Sequence, residues 1–382
     1  MQSHASAPRL GSLLVLVGLA IACAPGAPSS PRAADTRPAG ADSGRPPQVA
    51  AAAAPTAPPA PAPVRVRVGS QFASTDIGHY LALERGYWQE EGLEVSLESF
   101  ANASEMVPAL ATEQLEVGGV GGNAATWNAI ARGVSLKLVL DKGSVRPGMG
   151  YTALVLRKEV YDAGRGHRLD DLKGLRIAFT PPGKATTNAM PMDVAMQRVG
   201  ASIDDLVIEP LPFPDMVPAL ANGSVDGAMI VEPFLTHALR QGTVVRVMGL
   251  DEMYPNYNIA LVGFSRGFYA QRDAAKRFAR GYIRALRDYN NAVTGRSGEA
   301  ERAQIDAIMA KYTRIDLETV RQMVPVGLSP NGQFDVESVR HSYRWFRERG
   351  FVPEPIPDAV LADLFGTELV DEVLNELGRV PE

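Results

Sequence analysis

Met106-Val107-Pro108-Ala109-Leu110-Ala111 returns unchanged as Met216-Val217-Pro218-Ala219-Leu220-Ala221. The first copy continues Thr112-Glu113-Gln114-Leu115-Glu116-Val117-Gly118-Gly119-Val120 and the second Asn222-Gly223-Ser224-Val225-Asp226-Gly227-Ala228-Met229-Ile230. Glu116 thus aligns with Asp226 and Val120 with Ile230 without a gap. In each copy an apolar-periodic run ends in a polar turn and leads into a continuous apolar stretch, the pattern of helix, turn and buried strand.

The similarity extends upstream. An alternating strand from Val64 to Val68, a loop at Ser74-Thr75-Asp76, a helix from about His79, Gly92 and a strand from Leu93 to Leu97 make one series. Leu175 to Phe179, a loop from Pro181 to Lys184, a helix to Val199, Gly200 and a strand from Leu206 to Ile208 repeat it. Solenoid units are roughly 20 to 50 residues long, far shorter than this period. The repeat therefore predicts two α/β lobes, each with its own sheet. After about Gly267 the pattern turns helical, with helices expected at Gln271 to Asn291, Glu299 to Lys311, Leu317 to Met323, Val336 to Gly350 and a pair after Asp358. These are expected to pack on the first lobe.

The first 63 residues have a different character. Arg9 precedes an apolar run from Leu13 to Ala22, too short to span a bilayer, which takes roughly 20 residues, but suited to a secretory signal. The run ends Leu19-Ala20-Ile21-Ala22-Cys23, and Cys23 is the chain's single cysteine. That ending resembles a bacterial lipobox, which implies cleavage before Cys23 and lipidation of its thiol. With one cysteine, no internal disulfide is expected. From Ala24 to Pro63 the chain is mostly Ala, Pro, Ser and Gly, a composition that cannot bury a core. Such a tether reaches on the order of 35 to 120 Å. The expected division is a signal peptide at 1–22, lipidated Cys23 with a tether through 63, lobe 1 at 64–151, lobe 2 at 152–264, and C-terminal helices at 265–382 returning to lobe 1. The formal net charge is −5, with signs interspersed and no basic face, so nucleic acid is not an expected partner.

Gly86-Tyr87-Trp88-Gln89-Glu90-Glu91-Gly92-Leu93-Glu94-Val95 is similar to the Gly-Tyr-Phe-x-x-Glu-Gly-Leu-x-Val signature of type II periplasmic solute-binding proteins. The branch it resembles serves ABC importers of nitrate, sulfonates, taurine and thiamine-type pyrimidine precursors. Asn128-Ala129-Ile130-Ala131-Arg132-Gly133-Val134 with Leu136 and Leu138, Asp170-Asp171-Leu172-Lys173-Gly174-Leu175-Arg176-Ile177-Ala178, and Val231-Glu232-Pro233-Phe234 are similar to further segments of that branch. The resemblance covers about Val64 to Asp371. It implies a two-lobed type II fold, each lobe a mixed sheet flanked by helices, and a small organic solute enclosed by lobe closure: a sulfonate, a nitrate-type anion or a pyrimidine or other heteroaromatic precursor. It further implies an importer permease as partner, no cofactor, no catalysis, a monomer, and an exported protein, periplasmic or lipid-anchored to the outer face of the bacterial cytoplasmic membrane. A ligand sensor built on the same fold is the alternative.

In such a module the solute meets the loops where strands end and helices begin, because helix N-termini present free N–H groups. Those loops are Ser74-Thr75-Asp76, Gly121-Gly122-Asn123, Pro182 through Thr187 and Glu232-Pro233. Ser74, Thr75 and Asn123 suit helix capping as well as ligand contact; Gly122 lets backbone approach a ligand closely. Thr186 and Thr187 open a helix. Glu232 is either hydrogen-bonded scaffold or a selector of donor-rich ligands. Tyr80, Trp127 and Tyr151 lie near these loops and could stack on a heterocycle, whereas Trp88 and Phe100 suit the core. Asp76 and Glu232, if both unpaired in the cleft, would repel an anion, and Lys184 would reverse that sign.

Three matches point to enzymes instead. Gly119-Val120-Gly121-Gly122-Asn123-Ala124 fits a dinucleotide pattern with Asp141 downstream, but the second copy of the repeat lacks these glycines. Gly263-Phe264-Ser265-Arg266-Gly267 fits a nucleophile elbow, with Asp335 and His341 following in hydrolase order, but this leaves the duplicated lobe unexplained. Gly183-Lys184 lacks the remaining residues of a phosphate loop. His79, His167, His237 and His341 have no spacing for a metal, and there is no cysteine-rich segment of the kind used by relatives that make thiamine pyrimidine.

Overall fold

The computed structural model describes residues 63–100 and 102–382; the leader, Cys23 and the tether through residue 62 lie outside the described residues. Among these residues ten strands run in chain order: β1 (Val64–Ser70), β2 (Leu93–Ser99), β3 (Val117–Gly121), β4 (Leu136–Ser144), β5 (Thr152–Arg157), β6 (Arg176–Phe179), β7 (Val207–Pro210), β8 (Gly227–Val231), β9 (Val244–Gly249) and β10 (Asn258–Ser265). They form two five-stranded sheets, ordered β2-β1-β3-β10-β4 and β7-β6-β8-β5-β9. Both are mixed. The first three strands of each order run parallel, and β10 or β5 lies antiparallel between its two neighbours.

The duplicated hexapeptide makes the same structure twice. It sits in helices Ala103–Ala111 and Phe213–Asn222. Met106, Val107, Ala109 and Leu110 are buried while Pro108 is exposed, and Met216, Val217, Ala219, Leu220 and Pro218 repeat that pattern. An apolar stripe of this spacing packs one helix face on a sheet, and each helix then leads into an almost wholly buried strand, β3 or β8.

The lobe boundaries need one correction. The whole of β10 belongs to the first sheet, where Leu261, Val262 and Phe264 are at most 2% exposed, so lobe 2 ends before Asn258 and not at 264. The reason is pairing: β10 carries ladders to both β3 and β4, so the facing backbone groups of both strands are satisfied through it. The chain crosses between lobes at 145–151 and 254–257, and these crossings are fastened to each other by Val145 N–H to Tyr257 O (2.8 Å) and Asn256 N–H to Val145 O (2.7 Å).

The C-terminal helices also do more than return to lobe 1. Arg272–Val293 and Thr367–Leu377 do pack there, but Val336–Glu348 lies against both Ala124–Ala131 of lobe 1 and Ala189–Gln197 of lobe 2. Its apolar face fills the space between lobes, Tyr343 against Trp127 at 5.4 Å. At its end, buried Asp193 of lobe 2 accepts hydrogen bonds from Trp345 Nε1 (2.9 Å) and Arg349 (2.5 Å). Helix Leu317–Gln322 meets Phe234–Arg240 of lobe 2, where Arg240 donates to Thr319 Oγ1 (3.0 Å).

Candidate functional site

The floor of the cleft is a row across three strands: Gly121 of β3 and Gly143 of β4 both stand opposite Ala260 of β10. No side chain larger than methyl rises from it. At one end, a Cβ on Gly121 would lie 3.3 Å from both Asn123 Nδ2 and Thr187 Oγ1. Asn123 belongs to lobe 1 and Thr187 to lobe 2, so the facing loops meet here. Asn123 Oδ1 caps helix Ala124–Ala131 by accepting from Thr126 N–H at 2.9 Å, which leaves its amide N–H groups toward the meeting point. The carbonyl of Thr187 accepts from the hydroxyl of buried Tyr257 at 3.0 Å, fixing the lobe 2 loop to the hinge.

At the other end, a Cβ on Gly143 would lie 2.8 Å from Tyr151 Oη and 3.2 Å from Thr75 Cγ2. Tyr151 is 1% exposed and its hydroxyl has no partner among the described residues. Burial pushes that phenol far above its ordinary range, so it stays protonated and able to donate. Ser74 Oγ and Asn188 Oδ1 are likewise buried without partners among the described residues. Buried polar groups are nearly always satisfied, so these three atoms, Tyr151 Oη, Ser74 Oγ and Asn188 Oδ1, are candidates to meet a ligand's polar atoms.

The charged candidates are engaged elsewhere. Asp76 is fully buried, accepts from the N–H groups of Gln71 (3.3 Å) and Ala73 (3.2 Å) and pairs with Lys142 at 2.8 Å. Burial would raise its pKa, but the Lys142 ammonium and His79 outweigh burial and hold the carboxyl far below its usual range. Glu232, 2% exposed, accepts from Thr236 N–H (3.0 Å), Thr236 Oγ1 (2.9 Å) and Val324 N–H (3.0 Å); burial raises its pKa despite these three donors. Lys184 binds Asp204 within lobe 2 at 2.6 Å. The premise of two unpaired carboxylates opposed by a free lysine therefore does not hold.

The aromatic candidates separate in the same way. Tyr80 donates to Ala73 O (3.0 Å) and stacks on Tyr312 at 4.4 Å within the core of lobe 1. Trp127 is wholly buried beneath Gly122, whose Cβ would stand 3.8 Å from Trp127 Cζ2. Thr186 Oγ1 donates to Gly183 O at 3.0 Å. Only Tyr151 of the three rings offers its polar atom to the floor.

Lys142, Asn188 and Tyr257 were not among the sequence candidates, and Asp141 entered only as the acidic residue downstream of the dinucleotide pattern. Asp141 accepts from Gly143 N–H, Ser144 Oγ, Ser329 N–H and Asn258 Nδ2 at 2.8 to 3.3 Å, fastening the hinge to the C-terminal segment, and burial pushes it up to about 6. Its carboxylate is thus committed, which removes the acidic partner the dinucleotide pattern needs. The signal for Asp141 and Lys142 was two consecutive charges directly after the apolar run Leu138-Val139-Leu140; Asn188 simply follows Thr187. The hydrolase series does not assemble. Ser265 Oγ caps its helix through Phe268 N–H (3.2 Å), His341 Nδ1 meets the Tyr254 hydroxyl (2.8 Å), and Asp335 caps through Glu337 N–H (2.9 Å).

A model of the family described as NMT1/THI5 like matches residues 74–293, more than half of the chain. A Brucella abortus (strain 2308) chain named "Putative binding protein" is 25% identical over 256 residues, covering 66% of this chain and 72% of that one. The periplasmic aliphatic sulphonate binding protein SsuA from Escherichia coli superposes with a TM-score of 0.63 at 19% identity, over 81% of this chain and 99% of that one. The periplasmic nitrate-binding protein NrtA from Synechocystis PCC 6803 gives 0.65 at 13% identity, over 84% and 90%. At such identities the structural matches establish the fold, the type II periplasmic-binding-protein architecture.

Proposed function

The chain belongs to the NMT1/THI5-like family, and on that premise we propose that it is the solute-binding lipoprotein of an ABC importer. It captures a small polar organic solute between its lobes and presents the closed form to a membrane permease. The observation that carries this reading is the meeting of Asn123 and Thr187 from opposite lobes over the bare Gly121–Ala260–Gly143 floor, behind a two-segment hinge. Hinge closure around a ligand is a readable conformational signal. Cys23, outside the described residues, carries the lipid that holds the protein at the outer face of the membrane.

Hydrogen bonding selects the solute. Asp76, Lys184 and Glu232 each have their partners inside the protein, while Thr75, Asn123, Tyr151, Thr187 and Asn188 supply uncharged groups. Within the sulfonate, nitrate and heteroaromatic classes, affinity is accordingly expected to vary little with ionic strength, because no long-range charge attraction is left to be screened. Ser265 serves as a helix cap in this reading and turnover is not expected.

The test is a thermal-shift screen of the purified full-length protein against taurine, ethanesulfonate, nitrate, cytosine and hydroxymethylpyrimidines. A ligand at about 100 times its Kd stabilises the bound form by about 2.7 kcal/mol, a dose-dependent rise of several degrees. A flat response to every compound, together with ester hydrolysis lost in Ser265→Ala, would replace binding by catalysis.

A further inference from the structure

Besides the two hinge crossings, a third stretch of chain ties the lobes together. Its first part, 317–327, is held to lobe 1: Ser144 N–H of β4 donates to Gly327 O (2.8 Å), and the hydroxyl of Tyr289, on helix Arg272–Val293, donates to Val326 O (3.0 Å). From that base it bonds lobe 2 twice, Val324 N–H donating to Glu232 Oε1 and Thr319 Oγ1 accepting from Arg240, both at 3.0 Å. Helix Val336–Glu348 makes the second part. It is held to lobe 1 at both ends, where Asp335 N–H donates to Asn258 Oδ1 (3.0 Å) and Asn128 Nδ2 to Phe351 O (2.8 Å). From there Trp345 and Arg349 reach Asp193 of lobe 2, and Arg349 Nη1 also donates to Asp204 (2.8 Å).

Each attachment adjoins a loop of the cleft. Asp193 lies on helix Ala189–Gln197, directly after Thr187 and Asn188, and Glu232 follows β8. Solute enters when the lobes swing apart, and these contacts stand in the way of that motion. Helix Val336–Glu348 touches the hinge at His341, whose Nδ1 meets the Tyr254 hydroxyl at 2.8 Å. At about 1.5 Å per residue, Arg349 sits about 12 Å farther along the helix axis. A rotation of about 15° about the His341 contact carries it up to about 3 Å, out of hydrogen-bond reach of Asp193. Asp193 is fully buried, so opening takes two donors from a desolvated carboxylate and is disfavoured.

We infer that segment 317–351 is a strap that holds the lobes closed in the solute-free protein, and that its Glu232 and Asp193 attachments let go together. A strap of this kind favours the closed form with or without solute. It therefore slows entry and exit by one factor and leaves affinity nearly untouched while the closed form predominates. The device acts on the empty protein, beyond the choice of solute.

Hydrogen exchange of the full-length, solute-free protein tests it, by breaking one attachment and reading the other. Arg349→Met removes the charged donor from Asp193 and Asp204. The Val324 amide, bonded to Glu232, is then expected to exchange at least about tenfold faster, the factor one charged hydrogen bond contributes to the opening equilibrium. Arg240 is exposed, so Arg240→Met is the milder variant should Arg349→Met fold poorly; the Trp345 indole N–H is then expected to exchange at least about twofold faster. The Val262 amide of β10, within the first sheet, reports global unfolding and is expected to keep its wild-type rate. Unchanged exchange at the remote attachment would overturn the strap, and so would acceleration of Val262 by the same factor, which marks a general loss of stability. A flat thermal-shift screen with the coupled exchange intact would remove the solute-binding reading and leave the strap standing.

Discussion

At the end of lobe 1 remote from the cleft, Arg67 of β1 clasps Glu116 through Nε (2.9 Å), Nη2 (2.7 Å) and its own backbone N–H (2.7 Å). In lobe 2, Arg176 of β6 clasps Asp226 through Nε (3.2 Å), Nη2 (2.7 Å) and its backbone N–H (2.9 Å). Each guanidinium also reaches carbonyls of the preceding turn, Glu113 in one and Gly223 and Ser224 in the other. At the opposite ends the lobes share almost nothing. Lobe 1 offers Ser74-Thr75-Asp76 with its buried ion pair and a glycine-rich floor, and lobe 2 offers Thr186-Thr187-Asn188 and a Glu232 locked to the C-terminal segment. The difference shows that the duplicated unit is a scaffold, preserved where strands begin and rebuilt where they end.

The most severe break of that comparison is at the caps. Asp76 stands before helix Ile77–Glu84, and Asn188 before Ala189–Gln197. Asp76→Ala leaves Lys142 buried without its counter-charge and is expected to cost about 3 to 5 kcal/mol. Asn188 makes no capping bond, and Asn188→Ala is expected to cost less than about 1 kcal/mol while weakening solute binding. Urea unfolding of both variants reads the contrast, and equal losses would show that Asn188 is scaffold.

The clasps should respond alike. Arg67→Met and Arg176→Met are expected to lower the melting temperature by similar amounts, less than Asp76→Ala does because each clasp is open to solvent on one side. Neither should alter ligand affinity. A clearly larger loss in one lobe would mean that the pseudo-symmetry is of shape and not of energetics.

A smaller effect, within lobe 1, is read by pH. His79 of lobe 1 is buried against Trp88 and Tyr282, and burial lowers its pKa although Asp76 acts to raise it. With the folded value depressed, the stability from neutral His79 is full above the ordinary imidazole range, near 6.5, and is lost as pH falls below it. Asp141 opposes this: raised to about 6, its contribution is full below the usual carboxylate range and is lost as pH rises through 6. His79→Gln should therefore remove a loss of stability on acidification, at most about 1.4 kcal/mol per pH unit, and Asp141→Asn should make that loss steeper. Denaturant midpoints from pH 7.5 to 4.5 read both slopes.

Much of the fold was legible. The hexapeptide and its aligned flanks specified helix, turn and strand twice, because apolar spacing and turn residues act locally. The helices after Gly267 emerged within a few residues of their expected bounds for the same reason. The lobe boundary did not, since β10 reads as a strand whichever sheet receives it. In the site, Asn123, Thr187 and Thr75 of strand-to-helix loops and Tyr151 of an inter-lobe crossing stand around one floor. Lys184, Glu232 and Tyr80 carried suitable chemistry but have their partners elsewhere. Lys142 escaped because its position depends on a register shift against a strand more than a hundred residues away.

By itself the sequence determined the duplicated α/β unit, the family, and the loops that could hold a ligand, all of which follow from local periodicity and short motifs. Only the tertiary structure decided which charges are spent inside the protein, which hydroxyls remain free, and that the C-terminal helix Val336–Glu348 joins both lobes. Those outcomes depend on distances between groups far apart in the chain, where a buried carboxylate meets either a lysine or a set of N–H and O–H donors. Pairing of that kind is set by packing and desolvation, which no local pattern encodes.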